Sequence, residues 1–253
     1  MLEHSILIKE AENAIDWIKE YVTKTNAKGV VVGNSGGKDS ATVIAMAVKA
    51  LGKENVLTVA MPCNSIQEDL EDARLVSEKF GTKLMIVDLS ESYNELENTI
   101  NKNLEGIQLN DESKINMKPR MRMTILYSIA QTKNYLVIGT GNLCERMVGY
   151  TTKWGDSACD FNPIANFTVD EVLEIGRFLG VPEKIISKAP SDGLGSKTDE
   201  EKMGVSYKQI AEFIETGKTD IEAIDIIKRK NEISKHKRNL VPIYEFDRKN
   251  YLN

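Results

Sequence analysis

Eight consecutive residues near the N-terminus combine small, hydroxyl, basic and acidic side chains in a pattern suited to binding phosphate. They are Gly33-Asn34-Ser35-Gly36-Gly37-Lys38-Asp39-Ser40. The glycines allow the main chain to approach a ligand closely, and Lys38 supplies positive charge. Ser35 and Ser40 add hydroxyl donors, and Asp39 is a carboxylate suited to holding Mg²⁺ against phosphate oxygens. The segment therefore predicts a phosphate-binding loop.

The residues on either side indicate a strand, a tight loop and a helix. The β-branched run 29–32 precedes the loop, and the apolar segment 41–51 follows it. The loop is not a Walker A motif, because Lys38 is followed by Asp39 rather than by Ser or Thr. One alternative is a glycine-rich turn with a Ser or Asp helix cap and no ligand. The hexapeptide 35–40 instead resembles the pyrophosphate loop of the N-type ATP pyrophosphatases, which split ATP into AMP and pyrophosphate.

A second concentration of reactive side chains lies between Gly139 and Asp160. This stretch contains Glu145, Asp156 and Lys153 among glycines, without the periodicity of a packed helix or strand. One of its carboxylates beside Asp39 would complete a Mg²⁺ site, since that ion prefers one or two carboxylates plus phosphate oxygens and water. The alternative is a solvated loop.

Composition excludes several classes of protein. The chain has 253 residues and a net charge of −5, which argues against bulk nucleic-acid binding. Its three cysteines, Cys63, Cys144 and Cys159, form no C-x-x-C pair and favour reduced thiols in the cytoplasm. No apolar run approaches 18 residues and no signal peptide is apparent, so we expect no membrane association.

Apolar periodicity predicts alternating strands and helices. An amphipathic N-terminal helix over 6–25 has its apolar positions at Ile8, Ala11, Ile15, Ile18 and Val22. Further predicted helices are 41–51, 68–80, 117–132, 168–179, 206–216 and 220–235, with a helix and then an exposed loop within 91–113. Predicted strands are 29–32, 56–61, 83–89 and 135–138. This alternation indicates a doubly wound parallel sheet flanked by helices, with ligands at the carboxyl ends of its strands.

We expect one domain, 1–253, in four parts. These are the N-terminal helix, a nucleotide-binding core over 28–190, a mobile loop over about 190–204 that is rich in Gly, Ser and Pro, and C-terminal helices with a tail over 205–253.

Motifs along nearly the whole chain resemble the ammonia-dependent NAD synthetases. Beyond the first loop they are 117–123 with Arg120 and Arg122, Gly139-Thr140-Gly141-Asn142, Glu145, Gly149-Tyr150-Thr151-Thr152-Lys153-Trp154-Gly155-Asp156, Asp160, Pro163, Lys188-Ala189-Pro190-Ser191, Thr198-Asp199-Glu200 and His236-Lys237-Arg238. The combination is more specific than the pyrophosphate loop alone, which GMP synthetase, asparagine synthetase and tRNA-thiolating enzymes share.

The resemblance implies a ligase that amidates deamido-NAD (nicotinic acid adenine dinucleotide) with ammonia, consuming ATP, as the last step of NAD biosynthesis. It implies Mg²⁺ on Asp39 and Glu145, and catalytic roles for Ser35, Lys38 and Asp156, the last beside the incoming ammonia. The implied ATP-binding residues are Gly33 to Ser40, Gln67, Thr140 and Ser191. Those implied for deamido-NAD are Arg120, Lys153, Asp160, His236 and Lys237. The family is homodimeric, so a second chain is expected to contribute to the site.

The sequence departs from the family at two ATP-contacting positions. A lysine that the family often carries aligns with Val169, and an arginine found in some members aligns near Ala60. Arg120 and Arg122 point to different faces of one helix, and the match favours Arg120 for substrate, which leaves Arg122 for a structural ion pair. The basic segment 235–238 is either a substrate contact or a solvated tail. Trp154 either stacks on a ring or packs in the core, and Cys144 is expected to be buried packing.

Other functions fit the sequence less well. A tRNA-modifying pyrophosphatase would need an RNA-binding appendage and usually a catalytic cysteine pair, which this acidic chain lacks. A nucleotide sensor has no need of the ammonia-side carboxylate Asp156, and the 149–160 stretch is not that of GMP synthetase. The first strand begins near residue 29, which leaves no room for a glutamine-hydrolysing domain, so free ammonia is the expected nitrogen donor.

Overall fold

The computed structural model describes residues 2–188 and 198–247. Its four strands are β1 (Val30–Gly33), β2 (Val56–Ala60), β3 (Lys83–Ile86) and β4 (Leu136–Val137). The helices of the described chain are α1 (His4–Lys24), α2 (Lys38–Leu51), α3 (Gln67–Phe80), α4 (Ser90–Asn103), α5 (Asp111–Lys133), α6 (Leu143–Val148), α7 (Val169–Phe178), α8 (Glu183–Ile186), α9 (Asp199–Met203), α10 (Tyr207–Thr216) and α11 (Ile221–Ile233).

The strands form one parallel sheet in the order β3-β2-β1-β4. The chain moves outward from β1 through β2 to β3 and then returns to add β4 on the other side of β1. The strand order therefore reverses between β1 and β4, and a crevice forms at their carboxyl ends, where open parallel sheets bind ligands. Both of the loops singled out in the sequence begin at this point.

Helices cover both faces of the sheet, which confirms the doubly wound prediction. Val30 and Val32 of β1 pack with α1, α2 and α7, whereas Val31 and Val137 pack with α5. Side chains of a strand point alternately to opposite faces, so β1 is apolar along its whole length. In α1 the buried set begins at Leu7 rather than at Ile8, the one wrong position in that predicted pattern.

Four segments differ from the sequence prediction, one of them the unpredicted four-residue helix α8. Helix α6 replaces part of the predicted 139–160 loop. Sequence periodicity does not predict this helix, because six residues are too few to show it. Helix α5 begins at Asp111, six residues earlier than predicted, where Asn110 caps it by accepting from the Ser113 amide at 2.8 Å. Residues 190–197 of the predicted mobile loop lie outside the described residues, but Asp199–Met203 is helical, so a loop is the wrong assignment there.

The C-terminal helices pack against α6 rather than against the sheet. Their shared core includes Cys144, Met203, Tyr207, Ile210 and Ile227. A short 3-10 turn, Lys235–Lys237, follows α11. In the part of the chain that the structure covers, no helix is both long and apolar enough to cross a membrane.

Candidate active site

The crevice between β1 and β4 opens into a cavity of about 780 Å³. The phosphate loop lines one side, and the loop that follows β4 lines the other. Among the predicted site residues, the cavity is bordered by Gly33, Asn34, Ser35, Gly37, Lys38, Asp39, Ser40, Thr140, Glu145, Asp156 and Lys237. The two segments that are 100 residues apart in sequence thus share one site.

The phosphate loop is held in shape by its own polar groups. The Ser35 hydroxyl accepts from the Gly37 amide at 3.2 Å and lies 3.1 Å from the Ser40 hydroxyl. Asn34 accepts from the Gly36 amide at 3.1 Å and donates to the Ala73 carbonyl of α3 at 2.8 Å. Asn34 is also buried, and its hydrogen bonds anchor the loop to α3.

Gly36 is the position where only glycine fits. Its φ is +74°, and a Cβ there would lie 2.6 Å from the Asp69 carbonyl oxygen and 2.8 Å from the Asp72 Cβ. The loop consequently packs directly on α3. Helix α2 begins two residues later, at Lys38, so its N-terminal amides lie at the cavity, where the helix dipole favours an anion.

Lys38 is the cation of this loop. It is buried, with its Nζ 3.9 Å from Asp39 Oδ2 and 5.8 Å from the centre of the Tyr207 ring. An ammonium held away from bulk water beside a helix N-terminus is well suited to phosphate oxygens.

Asp39 and Glu145 both hydrogen-bond to Asn142. The Asn142 side-chain amide donates to Asp39 Oδ1 at 3.3 Å, and its main-chain amide donates to Glu145 Oε2 at 2.9 Å. Asn142 is fully buried and is the N-cap of α6, where its own oxygen accepts from the Glu145 amide at 3.1 Å. This capping box fixes Glu145 at the cavity wall.

Burial raises the pKa of both carboxylates, and Asp39 adds to the effect at Glu145. Burial raises the pKa of Asp39, although Lys38 and Asn142 act to lower it. Burial, followed by the charge of Asp39, raises the pKa of Glu145 well above its ordinary value. Two acidic groups that face one cavity favour a cation between them.

These residues fit Mg²⁺, which needs only one or two carboxylates when phosphate oxygens and water complete its octahedron. Within residues 2–188 and 198–247, no three His, Cys, Asp or Glu side chains converge as an all-protein metal cage. A site of two carboxylates beside a phosphate loop is the arrangement expected of a metal that arrives with its phosphates.

Asp156 lies on the same cavity, past the end of α6. Its two oxygens accept from the Thr151 hydroxyl at 2.6 Å and from the Thr152 amide at 2.8 Å. Lys237 is nearby and donates to the carbonyls of Gly149 and Thr151 at 2.8 and 2.7 Å. Burial lowers the pKa of Lys237, while Asp156 and Glu112 act to raise it.

The basic segment 235–238 is docked rather than solvated. Arg238 donates to the Arg146 carbonyl at 3.0 Å and to the Asn231 carbonyl at 2.6 Å. Gly149 permits this close approach, because a Cβ there would lie 2.1 Å from the Ser234 Cβ. Of the two predicted residues in this segment, Lys237 reaches the cavity and His236 is exposed to solvent.

Several predicted substrate contacts lie away from the cavity of the single chain. Arg120 is exposed and donates to the Lys153 carbonyl at 3.3 Å, and the Lys153 ammonium lies 5.3 Å from the Trp154 ring. Asp160 accepts from the Val137 amide at 2.7 Å and so lies along the edge of the sheet. Gln67 is exposed at the start of α3, beside the cavity-lining Ile66. Ser191 lies outside the described residues.

Sequence reasoning missed roles for three residues that line the cavity and for Asn142, which is buried behind its wall. Arg122 borders the cavity and donates to the Met61 carbonyl at 3.1 Å. Asn142 was seen only as a loop residue, although Asn142-x-x-Glu145 is a capping-box signature. Lys188 and Asp199 also line the cavity. Lys188 and Asp199 match the family's motifs, but the match assigns no role to either residue.

Asp199 connects three elements around Lys38. It is 5% exposed and accepts from the Tyr150 hydroxyl at 3.1 Å and from the Tyr207 hydroxyl at 3.3 Å. Burial, followed by the charge of Glu145, raises the pKa of Tyr207, so its hydroxyl stays protonated and serves as a donor. This arrangement holds α9, α10 and the end of α6 against the phosphate loop.

The remaining expectations divide. Cys144 is fully buried, and burial raises its pKa to about 12, which confirms packing rather than a nucleophile. Trp154 is 55% exposed with a φ of +61°, so packing in this chain's core is the wrong alternative. Val169 is buried against Cys144 and Met203, and Ala60 is a buried wall of the cavity.

Comparison with known proteins agrees with this geometry. A family model described as NAD synthase matches residues 10–250. The chain belongs to the NAD synthase family. An NH(3)-dependent NAD(+) synthetase of Carboxydothermus hydrogenoformans is 44% identical over 233 residues, which cover 92% of this chain and 95% of that protein.

Solved structures of NAD synthase relatives share the fold. An NMN synthetase of Francisella tularensis superposes with a TM-score of 0.89 at 32% identity, covering 95% of this chain and 99% of the other. An NH3-dependent NAD synthetase of Campylobacter jejuni, solved with a nitrate ion, gives a TM-score of 0.79 at 29% identity, covering 97% and 100%.

Proposed function

We propose that the chain catalyses the ATP-dependent amidation of deamido-NAD with ammonia, giving NAD, AMP and pyrophosphate. One observation carries the proposal: Asn142 joins Asp39 of the phosphate loop to Glu145 on the facing wall, at the switch point of the sheet. One cavity therefore carries a loop for the ATP phosphates, an acidic pair for the metal and a further carboxylate, Asp156. These are the groups that the reaction needs in a member of the NAD synthase family.

A carboxylate must be activated before ammonia can displace one of its oxygens. In the first step a nicotinate carboxylate oxygen attacks the α-phosphorus of ATP, and the bond from that phosphorus to the pyrophosphate oxygen breaks. In the second step ammonia attacks the acyl carbon of the adenylate, AMP leaves and an amide remains. No enzyme nucleophile is required, in keeping with the buried, protonated Cys144.

The phosphate loop acts on the first step, in which one anion attacks another. Lys38, the amides at the start of α2 and the hydroxyls of Ser35 and Ser40 offset the negative charge of the phosphates. They also favour the charge that develops on departing pyrophosphate. Asp39 and Glu145 would hold Mg²⁺, which supplies a Lewis acid for the phosphate oxygens.

Asp156 acts on the second step. Its carboxylate is held by Thr151 and Thr152 and remains on the cavity wall. Ammonium carries one proton too many to attack, so a fixed carboxylate both attracts the cation and accepts its proton.

The deamido-NAD contacts Arg120, Lys153, Asp160, His236 and Lys237 remain a proposal. Of these, only Lys237 borders the cavity, and Asp160 lies beside the aromatic cluster of Trp17, Tyr21 and Phe161. Trp17 is 42% exposed, so this cluster offers a surface for a nucleotide or for a second subunit. We accordingly propose a homodimer with substrate bound near the interface. Separately, we propose that the enzyme acts in the cytoplasm.

A second candidate substrate is nicotinic acid mononucleotide, which the same chemistry would amidate to NMN. The observation in its favour is the close superposition on a protein described as an NMN synthetase. Both substrates present the same nicotinate carboxylate and differ in the adenylyl half.

The test is product formation from purified protein with Mg²⁺ and ATP, each nicotinate nucleotide and either ammonium or glutamine. We expect NAD from deamido-NAD and ammonium, with a higher kcat/KM than for the mononucleotide. A higher kcat/KM for the mononucleotide would reassign the substrate. Amide formation with neither would contradict the proposed function.

A further inference from the structure

The ion-pair cluster behind the phosphate loop suggests an additional phosphate-binding residue. Asp72 of α3 is fully buried, with Lys184 Nζ 2.6 Å from one of its oxygens and Lys188 Nζ 2.6 Å from the other. Lys188 also pairs with Asp69 at 2.9 Å. Two ammonium groups therefore share one buried carboxylate.

Only one of these lysines borders the cavity. Lys188 and its partner Asp69 line it, and the Lys188 side chain is 26% exposed. Lys184 is absent from the wall and is 55% exposed. Asp72 Cβ and the Asp69 carbonyl both lie against Gly36, so the two residues that hold the Lys188 ammonium pack on the phosphate loop.

We propose that Lys188 exchanges partners when ATP binds. Its ammonium leaves the carboxylates of Asp69 and Asp72 and binds the phosphates that become pyrophosphate. This inference rests on the proposed function, because it requires ATP in the cavity. Asp72 keeps the Lys184 ammonium when Lys188 departs, so no buried charge is left unpaired. Asp69 is 25% exposed and is hydrated instead. The triphosphate offers a more negative partner than either carboxylate alone.

The direct test is the binding of Mg·ATP and of Mg·pyrophosphate by calorimetry, without deamido-NAD. We expect Lys188→Met to raise both Kd values about tenfold, the loss of one charge-assisted hydrogen bond. Lys188→Arg keeps the charge and should stay within about threefold of the unaltered chain. Lys114→Met is the matched control, since Lys114 pairs with Glu97 at 2.9 Å with a similar 34% exposure, off the cavity. It should leave both Kd values unchanged.

A second variant, Asp69→Asn, distinguishes partner exchange from a fixed structural role by the direction in which it changes Mg·ATP affinity. Asp69→Asn removes a competitor for Lys188 and should tighten Mg·ATP binding by about threefold. In a Lys188→Met background the same change should have little effect. A structural tether predicts instead that Asp69→Asn weakens binding, and general repulsion predicts the same tightening in both backgrounds. Either result would overturn the inference.

The outcomes also separate this inference from the proposed function. An unaltered chain that makes NAD, with Lys188→Met binding Mg·ATP as tightly as Lys114→Met does, contradicts the inference alone. An unaltered chain that binds no Mg·ATP contradicts both.

Discussion

Asn142 donates its side-chain amide to Asp39 at 3.3 Å and so joins the loops that follow β1 and β4. The same residue caps α6 and thereby fixes Glu145. One buried amide thus aligns two carboxylates supplied by segments far apart in sequence.

Removing the Asn142 side chain should affect both stability and activity. Asn142→Ala loses a helix cap and is expected to reduce the free energy of unfolding by about 1 kcal/mol. It also frees Asp39 and Glu145 to move apart, so NAD formation should fall by about 10- to 100-fold. Asn110→Ala removes the comparable cap of α5 and should cost similar stability without loss of activity. Equal activities of the two variants would contradict the alignment role.

Glu145→Gln should make the ligand-free protein more stable and much less active. Removing one of two like charges that share a cavity wall is expected to add about 1 kcal/mol to the free energy of unfolding. The same change removes a Mg²⁺ ligand, so the rate should fall by about 100-fold or more.

The control for Glu145→Gln is Glu171→Gln, which alters the matching capping-box residue of α7 away from the cavity. Thermal unfolding with and without Mg·ATP measures both effects. A Glu145→Gln protein that is less stable without ligand, yet gains the full stabilisation by Mg·ATP, would refute the metal assignment.

Asp156→Asn should separate the two chemical steps. Asparagine keeps an oxygen for the Thr152 amide but loses the charge that attracts ammonium. We expect pyrophosphate release with deamido-NAD to persist, while NAD formation at low ammonium falls by about 100-fold or more. Asp170→Asn, an exposed carboxylate on α7, should change neither step. Loss of both steps in Asp156→Asn would place Asp156 in adenylation instead.

Asp72 should contribute stability that depends on pH. Burial alone raises the pKa of Asp72, but the ammonium groups of Lys184 and Lys188 outweigh burial and hold the pKa below its ordinary value of 3.8. A carboxyl whose pKa is lower in the folded state stabilises it above pH 3.8, and this contribution disappears as pH falls through the lowered value.

Asp72→Asn is therefore expected to lower the free energy of unfolding by about 1–2 kcal/mol at pH 7. The loss is no larger because solvent around the two ammonium groups weakens the ion pairs. Urea unfolding between about pH 3 and 7 should show the difference from the unaltered chain narrowing as the solution is acidified. A difference that is constant across this range would show that the charge of Asp72 is not what stabilises the fold.

Sequence patterns predicted most of the fold because its strands and most of its long helices, though not α5, are amphipathic or wholly apolar. The apolar valines of β1 and the glycines that end α2 and α3 marked those elements reliably. The six-residue α6 and five-residue α9 were missed, since less than two turns of helix carry no periodicity. Their capping residues, Asn142 and Thr198, were the local signal available.

The site was predicted unevenly, for a physical reason. Residues within one loop, such as Lys38 and Asp39, depend on local spacing that is visible in sequence. Arg122 and Lys188 enter the cavity because of tertiary packing, which spacing along the chain does not encode. Only the family resemblance predicts contacts at Arg120 and Asp160, and in the single chain both residues lie outside the cavity.

The most direct test of the reaction is pyrophosphate release from Mg·ATP, measured with and without deamido-NAD and ammonium. We predict release that requires deamido-NAD but not ammonium, with NAD appearing only after ammonium is added. This order follows from adenylation at the phosphate loop before attack at Asp156. No release with deamido-NAD, or equal release without it, would contradict the account.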